Sequence, residues 1–402
     1  MRLIDKTLNL CYIIYMVNTK NEALNIKITA LNSDGSGVGR TDKGKVVFVP
    51  FTAVGDEIEV KVTKNTKSVI YAKLVKILNP SADRVELDCN AFARCGGCDF
   101  RHISYQAEVK AKEGFIRDAF KRIGGMEPEF LPFVASRDIN YYRNNVQLPA
   151  SEGIYGFYAT KSKTIIPHES CKLYPPRFKE IADNIIRNNP NPGKIRIRKG
   201  HYSGETGVGV AIYDTMCEVK VKISPNSFYQ INTPAAEKLY GIIKEFAEPE
   251  GKTILDLYCG IGIIGLSMAS QAKEIIGIEI TKDAVVNARE NAKLNNISNA
   301  QFFCGDVSDV LKQLSIVNTQ LSIIIDPARR GCDISVLESI AALSPERIVM
   351  VSCDPATAAR DCKRLYGFGY ETVKVRGVDL FPRTKHVECA ALLLKCRQQP
   401  LL

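Results

Sequence analysis

Thr253–Gly265 reads TILDLYCGIGIIG. The apolar run Thr253–Leu257 predicts a short buried strand, and Gly260-Ile261-Gly262 predicts a tight turn into a helix over Ile263–Ser270. Strand, glycine turn and helix in that order open an α/β sheet that binds a ligand at its strand ends, since glycine lets a ligand approach the main chain closely. The alternation continues downstream. Strand Glu274–Ile280 carries Glu279, an acid about twenty residues beyond the turn, where ribose hydroxyls are bound. Helix Asp283–Leu294 leads to strand Gln301–Cys304 and Asp306, and strand Leu321–Ile325 leads to Asp326. Ile348–Val351 is a further apolar strand, closed by Ser352-Cys353-Asp354-Pro355, with Pro355 suited to the first turn of a helix.

Asp256, Glu279, Asp306 and Asp326 each close an apolar strand. Any one of them could be a helix cap, but four in series point to a binding edge. The spacing GIGIIG also fits a dinucleotide site, so a hydride-transfer enzyme competes at this point. Asp306, placed to meet an adenine amine, favours S-adenosylmethionine. Cys353, at the carboxyl end of its strand, lies where such sheets bind ligands, although a lone cysteine is commonly a buried structural residue.

Composition sets the frame. The chain has 402 residues, enough for two or three domains. Its 45% hydrophobic and 24% charged residues are those of a globular protein. The net charge of +10 agrees with a polyanionic partner and also with simple solubility. No apolar run is long enough to span a membrane. Leu8–Val17 is apolar, but Asp5 precedes it and no small-residue cleavage site follows. Met16 is a second candidate start, which would make residues 1–15 an upstream extension. Thirteen cysteines without an export signal argue against a disulfide framework and for a cytoplasmic chain.

Between residues 22 and 80 the runs Leu24–Leu31, Lys45–Val49, Glu57–Val62 and Val69–Ile77 predict strands, with Asn32–Gly39 as a turn. Short strands between turn signals suggest a small closed β-barrel. Its polar face carries Lys43, Lys45, Lys61, Lys64, Lys67, Lys73 and Lys76, either a solvated surface or a footprint for nucleic acid.

Cys89-x5-Cys95-x2-Cys98 clusters three thiols, and Cys171 follows much later in HESCKLYPP. Four thiolates could hold zinc or a four-iron cluster, and spacing alone does not decide. Ser104–Ile123 predicts a helix capped by Ser104 and ended by Gly124-Gly125. Residues 130–222 read as mostly strand, with one helix near Pro176–Asn188. Tyr141–Asn145 mixes aromatic and cationic groups, which suits RNA stacking or an ordinary loop.

Together DLYCGIG, DPARRG, VSCDPAT and HVECAALL resemble the RNA 5-methyluridine (uracil-C5) methyltransferase family, over nearly the whole chain after residue 22. GSGVGR, VFVPFTAVGD and EIEVKV resemble the TRAM domain, an RNA-binding barrel. The cysteine spacing, with its distant fourth member, looks like the family's iron–sulfur motif. The resemblance implies a Rossmann-like class I methyltransferase domain of α/β class (226–402) and an OB-like TRAM barrel (22–80). Between them it implies a mixed α+β central domain (81–225), with an amino-terminal extension before residue 22. It implies S-adenosylmethionine bound by Gln230, Tyr258, Gly260, Glu279, Asp306 and Asp326, and a [4Fe-4S] cluster on Cys89, Cys95, Cys98 and Cys171. It makes Cys353 the nucleophile and Glu388 the general base, with His386 a rival base on chemical grounds. The implied substrate is RNA, 23S rRNA before tRNA because relatives acting on tRNA commonly lack both barrel and cluster; no protein partner is implied. A non-catalytic RNA-binding iron–sulfur protein is the competitor from another class. Two positions depart from the family pattern: Ala328 stands where a second proline is usual, and Ile263 where many relatives carry a polar cofactor contact.

Overall fold

Strands β1 (Ala23–Leu31), β2 (Gly37–Arg40), β3 (Val46–Val49), β4 (Glu57–Asn65) and β5 (Val69–Asn79) close into a barrel in the order β1-β2-β3-β5-β4. A computed structural model describes residues 23–199, 201–202, 211–225, 227–314 and 320–396. The extension before residue 22, with Met16, lies outside them. Alternate residues fill the barrel: Ile26, Ile28, Val47, Val49, Ile58, Val60, Ile70 and Ala72 form one core. Gly37–Arg40, expected as part of a turn, is a strand. Its glycines answer crowding: a Cβ on Gly37 would stand 2.0 Å from Thr52 Oγ1, and one on Gly39 2.3 Å from Ile26 Cγ2. Lys45 is tied to Asn65 Oδ1 at 2.6 Å and to the Thr66 carbonyl, so it is not a free cation on the polar face.

The barrel strands belong to one compact unit, and residues from Ala82 onward form the bulk of the other. That second unit begins with α1 (Tyr105–Ala119), capped by Ser104 Oγ, which accepts from Ala107 N at 3.2 Å. A π-helical turn over Phe120–Gly124 ends at Gly125 in the left-handed region. Strand β6 (Glu129–Phe130) follows, then β7 (Asn145–Ser151), β8 (Ile154–Tyr158), β9 (Ile165–Pro167), α2 (Pro176–Asn188), β10 (Gly193–Arg198) and β11 (His201–Tyr202). These make a sheet in the order β11-β10-β7-β8-β9, with Val146, Leu148, Ile195 and Ile197 packed on Phe178 of α2. Strands β12 (Ile212–Met216) and β13 (Val219–Ile223) form a hairpin.

The carboxyl-terminal half runs α3 (Thr233–Ala247), β14 (Thr253–Leu257), α4 (Ile263–Leu266), β15 (Glu274–Glu279), α5 (Lys282–Leu294), β16 (Ala300–Cys304), α6 (Val307–Gln313), β17 (Leu321–Ile325), α7 (Ile334–Ala342), β18 (Arg347–Ser352), α8 (Pro355–Gly367), β19 (Tyr370–Val378) and β20 (Glu388–Lys395). Its eight-stranded sheet is ordered β16-β15-β14-β17-β18-β20-β19-β6. β16, β15, β14, β17 and β18 are parallel, and β20 runs antiparallel to both β18 and β19. β14 and β17 are buried at every residue, as strands covered on both faces must be. One core packs α3, α4 and α5 on one face of the sheet, and a second packs α1, α7 and α8 on the other.

β13 is zipped to α5 by asparagines four residues apart. Asn287, Asn291 and Asn295 accept from the N–H of Ser224, Lys222 and Lys220 at 2.8, 2.7 and 2.9 Å. The match is geometric: four helical residues rise about 6 Å, and two strand residues about 6.7 Å. No helix among the described residues is long and apolar enough to cross a membrane.

Candidate active site

The strand order turns residues far apart in the chain into neighbours. Across one edge of the sheet stand Asp306 after β16, Glu279 at the end of β15, Asp256 near the end of β14, Asp326 after β17 and Cys353 after β18. β20 enters from that same edge because it runs the other way, so its first residue, Glu388, is delivered beside Cys353. The register pairs Ser352 with Cys389 and Val378 with Glu388.

At the glycine turn, Tyr258, Gly260 and Gly262 all take positive φ, of 62°, 55° and 83°. Gly260 N–H donates to Glu279 Oε2 at 3.2 Å, and Thr281 N–H to Glu279 Oε1 at 2.7 Å. A side chain on Gly260 would meet open space, whereas one on Gly262 would lie 2.9 Å from the Phe302 ring. Asp256 is fully buried; its Oδ2 accepts from Gly265 N at 2.9 Å and its Oδ1 has no partner. Burial, then the nearby Asp326 and Glu279, push the Asp256 carboxyl up to about 7, and burial pushes Asp326 up to about 6. Crowded carboxyls with an orphaned oxygen fit a cationic ligand, and a sulfonium carries that charge.

The other expected cofactor residues fall around this turn. Asp306 Oδ1 caps α6 through Ser308 N at 2.9 Å. Gln230 is buried, and its carbonyl accepts from Asn144 Nδ2 at 2.9 Å. The Tyr258 hydroxyl engages the Cys332 sulfur, so its strained main chain rather than its ring tip lies at the turn. Ile263 is a core residue.

Cys353 is half-buried. Burial first, then the Glu388 carboxylate, push its thiol up to about 11, while Arg329 acts in the opposite direction. Glu388 is 5% exposed, and burial, then Asp326, push it up to about 8. Such a carboxyl can hold or release a proton near neutral pH. His386 is the weaker base, since burial and then Arg329 push it down to about 4. Arg329 Nη2 lies 3.1 Å from His386 Nδ1 and its Nε 3.8 Å from Asp354 Oδ2. Asp354 caps α8, accepting from Ala356 N at 2.9 Å and Thr357 N at 3.2 Å, and so fixes the turn that carries Cys353.

Cys89, Cys95, Cys98 and Cys171 are free thiols. Burial raises the last three most, and neighbouring thiols add to it: Cys89 on Cys95, Cys95 on Cys98, and Cys98 and Cys95 on Cys171. Arg101 bonds Cys98, and Gly97 N–H points at Cys95 Sγ at 3.4 Å. Among the described residues, no three histidine, cysteine or carboxylate side chains form a site for one metal ion. A single zinc would need its sulfurs at ~2.3 Å from one centre. The four-iron alternative needs a wider cage, and four mutually interacting thiols with N–H and guanidinium donors are the donor set it takes.

A profile described as tRNA (uracil-5-)-methyltransferase matches residues 212–396, and the TRAM domain profile matches residues 18–75. An uncharacterized RNA methyltransferase of Halalkalibacterium halodurans is 32% identical, over 93% of this chain and 97% of its own. One from Clostridium tetani is 31% identical over 93% of this chain and 96% of its own. This chain belongs to the RNA uracil-C5 methyltransferase family. The family member is thus an S-adenosylmethionine-dependent RNA (uracil-5-)-methyltransferase with an amino-terminal TRAM barrel. The crystal structure of the Pyrococcus abyssi tRNA (uracil-54, C5)-methyltransferase with S-adenosyl-L-homocysteine is similar throughout. It has a TM-score of 0.71 and 26% identity, over 92% of this chain and 100% of that one.

In this methyltransferase the segment Tyr141–Asn145 acts differently from the RNA-stacking expectation. Tyr142 is buried with its hydroxyl on the Pro382 carbonyl at 3.0 Å, Arg143 lies over the Phe157 ring, and only Tyr141 is well exposed. Asn144 and Arg329 were not singled out from sequence. Arg329 sat inside the quoted DPARRG, and its partners come from β18 and β20, which no local pattern reveals.

Proposed function

We propose that this enzyme methylates carbon 5 of a uridine in 23S rRNA, in the cytoplasm, through a temporary bond between Cys353 and the uracil ring. The observation that carries the reading is the pairing of the Cys353 thiol with the buried Glu388 carboxyl on adjacent strand ends, beside the glycine turn. Carbon 5 of uracil is a poor nucleophile. Addition of the Cys353 sulfur to carbon 6 converts the ring to an enolate, which is nucleophilic at carbon 5. S-adenosylmethionine, when bound, supplies the methyl group. Glu388 then takes the carbon 5 proton, the carbon–sulfur bond breaks, and the ring double bond returns with the thiolate released. Arg329 steadies negative charge at the sulfur. Gln230, Tyr258, Gly260, Glu279, Asp306 and Asp326 would hold the methyl donor. The target base leaves its stack to reach a half-buried thiol.

Cys89, Cys95, Cys98 and Cys171 would hold a [4Fe-4S] cluster, which would tie the turn at Gly96-Gly97 to the distant Cys171 segment. The barrel of residues 22–80 would grip surrounding RNA, and residues 81–225 would carry the cluster beside the catalytic domain of 226–402. A tRNA substrate is the second reading. The Pyrococcus abyssi enzyme is named for tRNA, and its likeness extends over 92% of this chain, so the barrel does not by itself separate the two substrates.

Two experiments test this. Cys353→Ala abolishes methyl transfer and RNA capture, while Glu388→Gln retains a methylated covalent adduct that resolves slowly; normal turnover in either rejects its role. Mapping the 5-methyluridines lost from bulk RNA in a deletion strain decides the substrate, a loss confined to tRNA favouring the second reading.

A further inference from the structure

The connection Asp379–Val387 joins β19 to β20 and ends at Glu388, the last rung of that ladder. It is fastened mainly by the segment that follows Cys98. The N–H groups of Asp99 and Phe100 donate to the Arg383 carbonyl at 2.9 and 3.1 Å. Asp99 Oδ2 accepts from Lys385 N at 3.0 Å, and Asp99 pairs with Lys385 Nζ at 3.6 Å. Glu108 Oε1 accepts from Arg383 N at 2.7 Å, and Arg383 Nη1 donates to the Ile103 carbonyl at 3.0 Å. Below this, Lys112 Nζ donates to Glu108 Oε1 and Asp379 Oδ1, both at 2.8 Å, and to the Phe381 carbonyl at 3.1 Å. Tyr105 OH donates to Asp379 Oδ2 at 2.9 Å. Glu108, Lys112 and Asp379 are all fully buried.

None of these groups has a part in the chemistry above. A buried ion triad is a poor source of stability, because desolvation offsets most of its attraction; its better-attested use is to specify one arrangement. Arg383 shows what is being specified. It sits at φ 69°, a left-handed conformation that a bulky residue keeps only where its surroundings over-determine it. Those surroundings are Asp99, Phe100, Ile103 and Glu108. The carboxylate of a residue on a terminal rung would otherwise swing with its connection.

We propose that Asp99 and the Glu108–Lys112–Asp379 triad are positioning residues for Glu388, holding the connection so that its carboxylate faces carbon 5 of the bound uracil. The proposal rests on Glu388 being the base that resolves the adduct. It makes the turn carrying Cys95 and Cys98 part of the base's mounting, and the defect of a displaced base is specific: bond formation proceeds and resolution stalls.

The test is single-turnover methylation by the full chain, following both formation and decay of the methylated covalent adduct. Asp99→Ala forms the adduct at the wild-type rate and resolves it about ten-fold more slowly, in line with the sensitivity of proton transfer to small misplacements. Asp99→Asn, which keeps an acceptor for Lys385 N–H, restores resolution. Tyr105→Phe, remote from the cysteines, slows resolution in the same direction. Metal content is measured on each variant; if Asp99→Ala loses metal, Tyr105→Phe decides. Equal slowing of both steps, or no change in either, overturns the proposal. Glu388→Gln in the same assay separates the two readings. If it fails to accumulate adduct, the base assignment falls and this proposal with it; if it accumulates adduct and the Asp99 and Tyr105 variants do not, the positioning role alone falls.

Discussion

Glu388 is a carboxyl that its surroundings keep from behaving as a surface acid. An ordinary glutamate titrates near 4.5, and burial with Asp326 nearby moves this one to about 8. The functional sign is direct: the base form grows as pH rises through about 8, so adduct resolution should accelerate over that range. The stability sign is opposite. Because the folded-state value is raised, the contribution is fully present below 4.5 and is lost as pH rises through about 8. Glu388→Gln should therefore match the wild type in stability near the bottom of that window and become progressively more stable towards its top, by up to about 1.4 kcal/mol per pH unit. Chemical unfolding at several pH values checks this, and a difference that does not vary with pH would contradict it. The identities of Cys353 and Glu388 were legible through their motifs. Their proton affinities were not, because these come from burial and from Asp326, which lies on another strand.

At the level of elements, periodic apolar runs were legible and polar fastenings were not. The fully buried strand Leu321–Ile325 and helix Pro176–Asn188 lie where their patterns predict. Gly37 and Gly39 misled, because glycine signals both a turn and a close approach between neighbouring chains, and only the packing of Thr52 and Ile26 tells which. The asparagine ladder on α5 was invisible, since its partners are main-chain groups of β13. Asn291 also donates to the Ile261 carbonyl at 3.1 Å, inside the glycine turn. Asn291→Ala leaves buried main-chain groups unpaired, so we expect a loss of about 1–3 kcal/mol in chemical unfolding. Weaker binding of S-adenosylmethionine by calorimetry should accompany it, because the turn loses its anchor. Unchanged stability and affinity would show that the ladder is ornamental.

For the whole molecule, the alternation of strand and helix made the α/β class readable, but not the strand order. β20 inserts between β18 and β19, antiparallel to both, and that insertion alone brings Glu388 to Cys353. The net charge of +10 acquires meaning once RNA is the substrate. Affinity for RNA should fall linearly with the logarithm of salt concentration, by about a thousand-fold between ~50 and ~200 mM if about six phosphates are neutralised. A flat profile in a filter-binding titration would count against phosphate-driven gripping. The most direct measurement uses RNA carrying 5-fluorouridine at the target position, incubated with the enzyme and S-adenosylmethionine. Fluorine at carbon 5 cannot be removed as the proton is, so the account predicts a methylated, denaturation-resistant conjugate that peptide mapping places on Cys353. Methylation of ordinary RNA with no conjugate on Cys353, or with the conjugate on another cysteine, would contradict it.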